Sequence, residues 1–231
     1  MPAIDDKQAM TKTLAIGSAL CAAALLVLAI HPGFDLDVAG VFYQPPHHFI
    51  GDTPVGEVAR YVAWIGPFVL LVALMLAGLG ALVGLWPARW APGPRSLVLI
   101  VLSFALSPGL FVYGTFKPLA HRPRPHSVVE LGGPDTFRPF TRFDGACTHS
   151  CSFPSGETAG SLWTIAPASL VPLPWRGVAI AGAILFGAAT GLLRIAFGGH
   201  FLSDVLGAAF FTLLSVLVVR WLISVWWKRA P

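Results

Sequence analysis

Residues 58–86 read VARYVAWIGPFVLLVALMLAGLGALVGLW, with Arg60 the one charged side chain and nothing ionic from Tyr61 to Trp86. A helix rises about 1.5 Å per residue, so a run of this length crosses a hydrocarbon layer roughly 30 Å thick. The run is continuously apolar rather than alternating, which selects a helix over a strand of a closed barrel. Similar runs lie at about 14 to 30, 97 to 116, 158 to 173, 177 to 193 and 203 to 227. The whole chain of 231 residues is 55% hydrophobic and 11% charged, about half the charged fraction usual in soluble domains. Such a composition excludes a disordered chain. A pI near 9.3 raises the question of a nucleic-acid partner, but the 15 Lys and Arg sit in small groups at the ends of apolar runs, not in one stripe. The sequence therefore predicts an all-α, six-transmembrane-helix bundle with no nucleic-acid role.

Six spans put both termini on one side. Lys7 and Lys12, Arg89 and Arg95, Arg176, and Lys228 and Arg229 all fall on that side, which the positive-inside rule makes cytoplasmic. The first run resembles a signal peptide in its small residues around Cys21, yet no small-x-small cleavage site closes it before His31-Pro32, so it reads as a retained anchor. Trp86, Trp90, Trp175, Trp221, Trp226 and Trp227 cluster at the same boundary, where indoles favour the interface. The opposite, periplasmic side receives three loops: 31 to 57, 117 to 157 and a short turn around Phe197 to His200. In the first, Phe34, Val38, Val41 and Phe42 have helical spacing and predict a short helix lying in the interface. Cytoplasmic connections are brief and Pro-rich, and no repeat or linker divides the chain, so 1–231 reads as a single membrane domain. Cys147 and Cys151 suit a disulfide in an oxidising compartment; free thiols, or a weak metal site with the intervening His149, are the other readings.

Charged groups at span ends need a reason, since a charge deep in a bilayer costs on the order of 3 kcal/mol even on lenient scales. Three clusters qualify: Lys117 to Pro125 after the third span, Phe153-Pro-Ser155-Gly156-Glu157 before the fourth, and Arg194, His200 and Asp204 between the fifth and sixth. Topology brings all three to one face, surrounding a common point with Lys117, Arg124 and Arg194. Such a cation set wants an anion. Ser155-Gly156 opening a helix adds backbone N–H groups and a positive dipole end suited to phosphate. His200 and Asp204, four apart, share a helix face on which a carboxylate can fix an imidazole tautomer. Each group alone has an ordinary explanation, as a snorkelling cation, a helix cap or a structural pair. Their convergence from three separate span ends argues for a site.

Lys117 and Arg124-Pro125 fit K-x6-R-P, Pro154-Ser155-Gly156 fits the start of P-S-G-H, and Arg194, His200 and Asp204 fit R-x5-H-x3-D. Together these resemble the signature of the type 2 phosphatidic acid phosphatase superfamily, membrane lipid phosphatases related to vanadium haloperoxidases. Residues 34 to 43 also resemble the interfacial segment of bacterial members. The resemblance implies a bacterial inner-membrane enzyme with its site facing the periplasm, a membrane lipid as substrate, no cofactor or metal, and no obligate protein partner. It implies His200 as nucleophile through a phosphohistidine, Asp204 as its orienting partner, and Lys117, Arg124, Arg194, Ser155 and Gly156 as holders of the phosphate oxygens. Positioning and charge around those oxygens are also what phosphoryl transfer needs on general grounds. Glu157 departs from the pattern, standing where the family has the proton-donating His. It is one candidate donor, His121, His126 and His149 in the same loop are others, and water or an unassisted leaving group is the remaining reading. The stretch from Cys147 to Glu157 is similar to a bacterial subgroup that includes lipid A phosphatases; isoprenyl diphosphates and phospholipids are the other substrate classes. A phosphotransferase built on the same histidine, and a non-catalytic lipid-phosphate binding or transport protein, are the alternatives.

Overall fold

Proline and glycine set the helix boundaries. In α3 (Pro54–Leu82) Pro54 occupies the first turn, where a missing N–H costs nothing, and Thr53 Oγ1 accepts from Gly56 N at 3.0 Å as the N-cap. Pro94 opens α4 (Pro94–Phe104) in the same way. The computed structural model describes residues 2–46 and 48–226 of the chain, so Trp227, Lys228 and Arg229 lie outside the described residues. Before α3 come α1 (Pro2–Ile30) and α2 (Gly33–Gly40), the latter where the helical spacing of Phe34 to Phe42 predicts one. A two-residue hairpin follows, Tyr43–Gln44 against His48–Phe49.

The third apolar run is helical from Pro94 through α5 (Lys117–Ala120), but its hydrogen bonding widens to the π pattern over Ala105–Phe116. Pro108 lies in that stretch and has no N–H to give the preceding turn. After a long loop come α6 (Gly156–Trp163), α7 (Ile165–Ala168), α8 (Arg176–Ala196) and α9 (Leu202–Trp226). Five helical stretches among the described residues have the length and composition of membrane spans: Gln8–Ile30, Pro54–Leu82, Pro94–Ser127, Arg176–Ala196 and Leu202–Trp226. The run at 158 to 173 differs from the others. It folds as α6 and α7, broken at Thr164, because Pro167 cannot donate to the carbonyl four residues before it, that of Trp163.

This broken segment is the most enclosed part of the fold. α6 packs against α3, α8, α9 and the π-helical stretch, and Trp163 is fully buried, its indole N–H shared between Ser103 Oγ (2.9 Å) and Ile100 O (3.2 Å). Around it, Leu14 of α1, Leu99 and Ile100 of α4 and Val216 and Val219 of α9 form the main apolar core. The outer surface is also apolar. Val55, Val62, Val69 and Leu76 recur every seventh residue on α3, and each is at least 60% exposed. A stripe of that kind is costly in water and favourable against lipid tails. A second, smaller core of Ala39, Phe49, Val128, Leu131 and Phe201 fastens α2 and the hairpin to the loop after α5 and the turn before α9.

Candidate active site

Lys117 starts α5, Arg124 lies in the extended segment beyond it, Ser155 caps α6, Arg194 sits in the last turn of α8, and His200 and Asp204 bracket the start of α9. All belong to elements that meet at one end of the bundle. Ser155 N donates to Asp204 O (3.0 Å), tying the start of α6 to α9. Two glycines make room for neighbouring side chains at this end. A Cβ on Gly156 would lie 2.5 Å from Tyr113 Oη, and one on Gly199 would collide with the Arg194 guanidinium.

Asp204 is fully buried and well satisfied. Its Oδ2 accepts from Phe201 N (2.7 Å) and Ser152 Oγ (2.5 Å), and its Oδ1 accepts from Arg122 Nη1 (2.5 Å). The bond from Phe201 N is the reciprocal half of a helix cap, which fixes the carboxylate at the first turn of α9. His200 Nδ1 lies 3.5 Å from Asp204 Oδ2, aligned as a charge pair but too long for a formed hydrogen bond, and Nδ1 has no other hydrogen-bond partner. Burial, aided by the positive charges of Arg194 and Lys117 and opposed by Asp204, lowers the pKa of His200 to about 3. The imidazole is therefore neutral, with a lone pair available.

Arg122 continues the chain of charges. Its Nη2 donates to Asp35 Oδ2 (2.8 Å), its Nη1 to Ser203 Oγ (2.7 Å) as well as to Asp204, and its Nε to Arg138 O (2.9 Å). The guanidinium lies 4.3 Å from the centroid of the Phe201 ring. Arg122, Asp35 and Asp204 are all fully buried.

The other cations are held by backbone carbonyls of one small loop. Lys117 Nζ donates to Cys151 O (3.2 Å), Arg124 Nε to Ser150 O (2.9 Å), and the His121 Nδ1 pairs with Cys147 O (2.9 Å). A disulfide between Cys147 and Cys151 closes this loop, the first of the three readings of those thiols. Arg124 and Arg194 line a cavity of about 240 Å³ together with Arg60, Glu57, Asp52, His126, Phe49, Phe197 and Gly199. Of the loop histidines, His126 is on the cavity wall. His121 is turned to Cys147 O, and His149 is exposed and paired with its neighbour Thr148.

Glu157 lies between two guanidinium groups, Oε1 at 3.5 Å from Arg60 Nε and Oε2 at 3.5 Å from Arg194 Nε. Neither contact is a formed hydrogen bond, and Glu157 Oε2 and Arg194 Nε are both buried without one. Its neighbours are thus Arg194 and Arg60. The Ser155 hydroxyl is engaged in capping, paired with Thr158 Oγ1 (2.8 Å) and accepting from Thr158 N (3.4 Å), so what it leaves free toward a ligand is the helix start. Sequence reasoning overlooked Asp35, Arg122, Ser152, Ser203 and Arg60. The available signals were an acid inside an apolar helical stretch and a second arginine two places before Arg124.

Of the residues predicted from sequence, Arg124 and Arg194 line this cavity, whereas His200 is next in the chain to the lining Gly199, and Lys117, Ser155, Gly156, Glu157 and Asp204 are off its wall. A neutral imidazole placed there can attack an anionic phosphorus whose charge the cations neutralise. A family model described as the PAP2 superfamily matches residues 96–229 of the chain. The chain is 30% identical over 209 residues to a lipid A 4'-phosphatase of Francisella tularensis subsp. novicida (strain U112), covering 88% of this chain and 92% of that protein. It is 26% identical over 196 residues to a lipid A 4'-phosphatase of Rhizobium leguminosarum, covering 79% and 84%. Its fold is similar to the crystal structure of the first transmembrane PAP2 type phosphatidylglycerolphosphate phosphatase from Bacillus subtilis, with a TM-score of 0.54 at 22% identity, covering 96% of this chain and 98% of that one.

Proposed function

The chain belongs to the PAP2 superfamily and is a membrane lipid phosphatase, and we propose that it hydrolyses a phosphomonoester of lipid A through a phosphohistidine formed at His200. The observation that carries the mechanism is His200 Nδ1 placed 3.5 Å from the carboxylate of a buried, hydrogen-bonded Asp204, next in the chain to Gly199 of the cation-lined cavity. The likeness to two lipid A 4'-phosphatases over most of the chain supports the substrate.

In the first step His200 Nε2 attacks phosphorus while Nδ1, protonated, faces Asp204, and the bond to the sugar oxygen breaks. Lys117, Arg124 and Arg194 hold the nonbridging oxygens, and the backbone N–H groups at Gly156 and the start of α6 add donors. The leaving oxygen takes a proton. We assign that proton to His126, which lines the cavity, and we assign to Glu157 the task of holding Arg194 in place between substrates. Water then attacks phosphorus, giving a proton back to His126, and the phosphorus–nitrogen bond breaks, releasing phosphate and regenerating the neutral imidazole.

The same reading places α6 and α7 as a sixth, protein-enclosed crossing, with both termini cytoplasmic, α2 in the outer interface of the inner membrane and the site facing the periplasm. Lys12 in α1, Arg89 in the turn before α4, Arg95 in the first turn of α4 and Arg176 at the start of α8 support that orientation, as does the Cys147–Cys151 disulfide, which suits an oxidising compartment. Packing of Met10 and Leu14 against Val216 and Val219 supports reading 1–231 as one domain. The test is purified protein incubated with lipid A, a phospholipid phosphate and an isoprenyl diphosphate, scored for free phosphate and for the dephosphorylated lipid by mass. Release from lipid A, lost in His200→Ala, supports the proposal. Release from another class alone, or a phosphorylated acceptor in place of free phosphate, contradicts it.

A further inference from the structure

The buried charges beneath His200 do not balance in pairs. Arg122 is shared by two carboxylates, Asp204 on the side of His200 and Asp35 on α2, and all three side chains are sealed from solvent. Asp35 commits both carboxylate oxygens to this arrangement: Oδ1 takes Ser203 N (2.8 Å), and Oδ2 takes Ser203 Oγ (2.5 Å) and Arg122 Nη2 (2.8 Å). Neutralising a buried arginine requires one carboxylate. With Asp204 alone opposite it, the negative charge of Asp204 would be cancelled by Arg122 where His200 needs it. Two carboxylates on one guanidinium leave the group with a net charge of −1.

Resting on the assignment of His200 as nucleophile, we infer that Asp35 is a positioning residue for phosphoryl transfer: through Arg122 and Ser203 it holds Asp204 in place and leaves it the negative charge that stabilises the imidazolium formed on attack. Asp35 lies outside the segment matched by the family model, on α2, whose Phe34, like Val41 just past its end, is more than half exposed. The short helix thus supplies part of the machinery of the site as well as an apolar surface. Asp35 is not among the residues that line the cavity and reaches Asp204 through Arg122, so its effect belongs to the chemical step and not to substrate binding.

The experiment compares full-length Asp35→Asn, Asp35→Glu, Ser203→Ala and His200→Ala, purified in detergent, for kcat and KM on lipid A, with thermal unfolding measured alongside. A directly bonded orienting carboxylate is worth on the order of 10⁴-fold in kcat, and an outer partner about 10- to 100-fold. Asp35→Asn, of the same shape, is expected to lower kcat about 10- to 100-fold with KM within about twofold. Asp35→Glu, which restores the charge, is expected to recover part of the loss. Ser203→Ala keeps both charges and loosens Asp35, so a few-fold fall in kcat at constant KM is expected, and it carries the test if Asp35→Asn does not fold. Wild-type kcat in Asp35→Asn or, failing that protein, in Ser203→Ala overturns the inference, as does a fall in kcat that tracks lost folded protein alone. Should His200→Ala retain turnover, the nucleophile assignment itself fails. Loss in His200→Ala with wild-type kcat in Asp35→Asn removes the role of Asp35 only.

Discussion

Replacing Glu157 by Gln removes one charge and almost no volume, and the structure separates its two conceivable effects. The carboxylate is 3.5 Å from both Arg194 and Arg60, with side-chain exposures of 5% for Arg194 and 30% for Arg60. At that separation and an effective dielectric near 20, each pair attracts by about 5 kcal/mol before desolvation. Desolvation of the buried partner removes several kcal/mol, and solvent screens the Arg60 pair to about 0.5 kcal/mol. The net loss of ordering at Arg194 is then about 1 to 2 kcal/mol, or roughly 5- to 30-fold in kcat/KM. An ordering role acts before the leaving group matters, so lipid A and nitrophenyl phosphate should slow alike. His126→Gln should behave differently, slowing the sugar leaving group by about 10²- to 10⁴-fold and nitrophenolate, which scarcely needs a proton, far less. Both variants are assayed for phosphate release on both substrates. If Glu157→Gln discriminates strongly between leaving groups and His126→Gln does not, Glu157 is the acid and His126 is not.

Other consequences are more quickly stated. Asp204→Asn should lower the thermal stability, since both carboxylate oxygens accept bonds that an amide NH2 cannot, and should leave the folded fraction with slow turnover because it favours the wrong imidazole tautomer; full kcat per folded protein would exclude an orienting role. Reduction of the Cys147–Cys151 disulfide frees the carbonyls that hold Lys117 and Arg124, so dithiothreitol, or Cys147→Ser with Cys151→Ser, should raise KM for lipid A, and an unchanged KM would show that the loop stands without it. Since burial keeps His200 neutral with a pKa of about 3, its ring nitrogen resonances in histidine-labelled protein should not move between about pH 8 and 5, whereas a free imidazole titrates near 6.5. A cysteine placed at Thr136 should react with an impermeant reagent on intact spheroplasts and one at Ala88 should not; the reverse pattern inverts the topology.

The apolar runs were legible because lipid contact demands them whatever the neighbours do, and five of the six recur as long helices. The run at 158 to 173 was not, since it is enclosed by protein and composition cannot distinguish that from lipid; its Pro167, which breaks it, was visible in the sequence. The clusters around Lys117, Ser155 and His200 could be placed on one face from topology alone, because spans alternate in direction. Their wiring could not. Arg122 meets Asp35 and Asp204 across 87 and 82 residues, and a buried pair of that kind leaves no periodicity to read. Arg60 reads as a charge at the start of a span and becomes a partner of Glu157 only once α3 and α6 are packed.

The claim on which everything else rests is covalent chemistry at His200. Protein quenched in alkali during turnover of radiolabelled lipid A, then digested and mapped by mass spectrometry, should carry an acid-labile, alkali-stable phosphate on the peptide containing His200, and none in His200→Ala. Phosphate on another side chain, or full turnover with no phosphoenzyme at any quench time, would contradict the account.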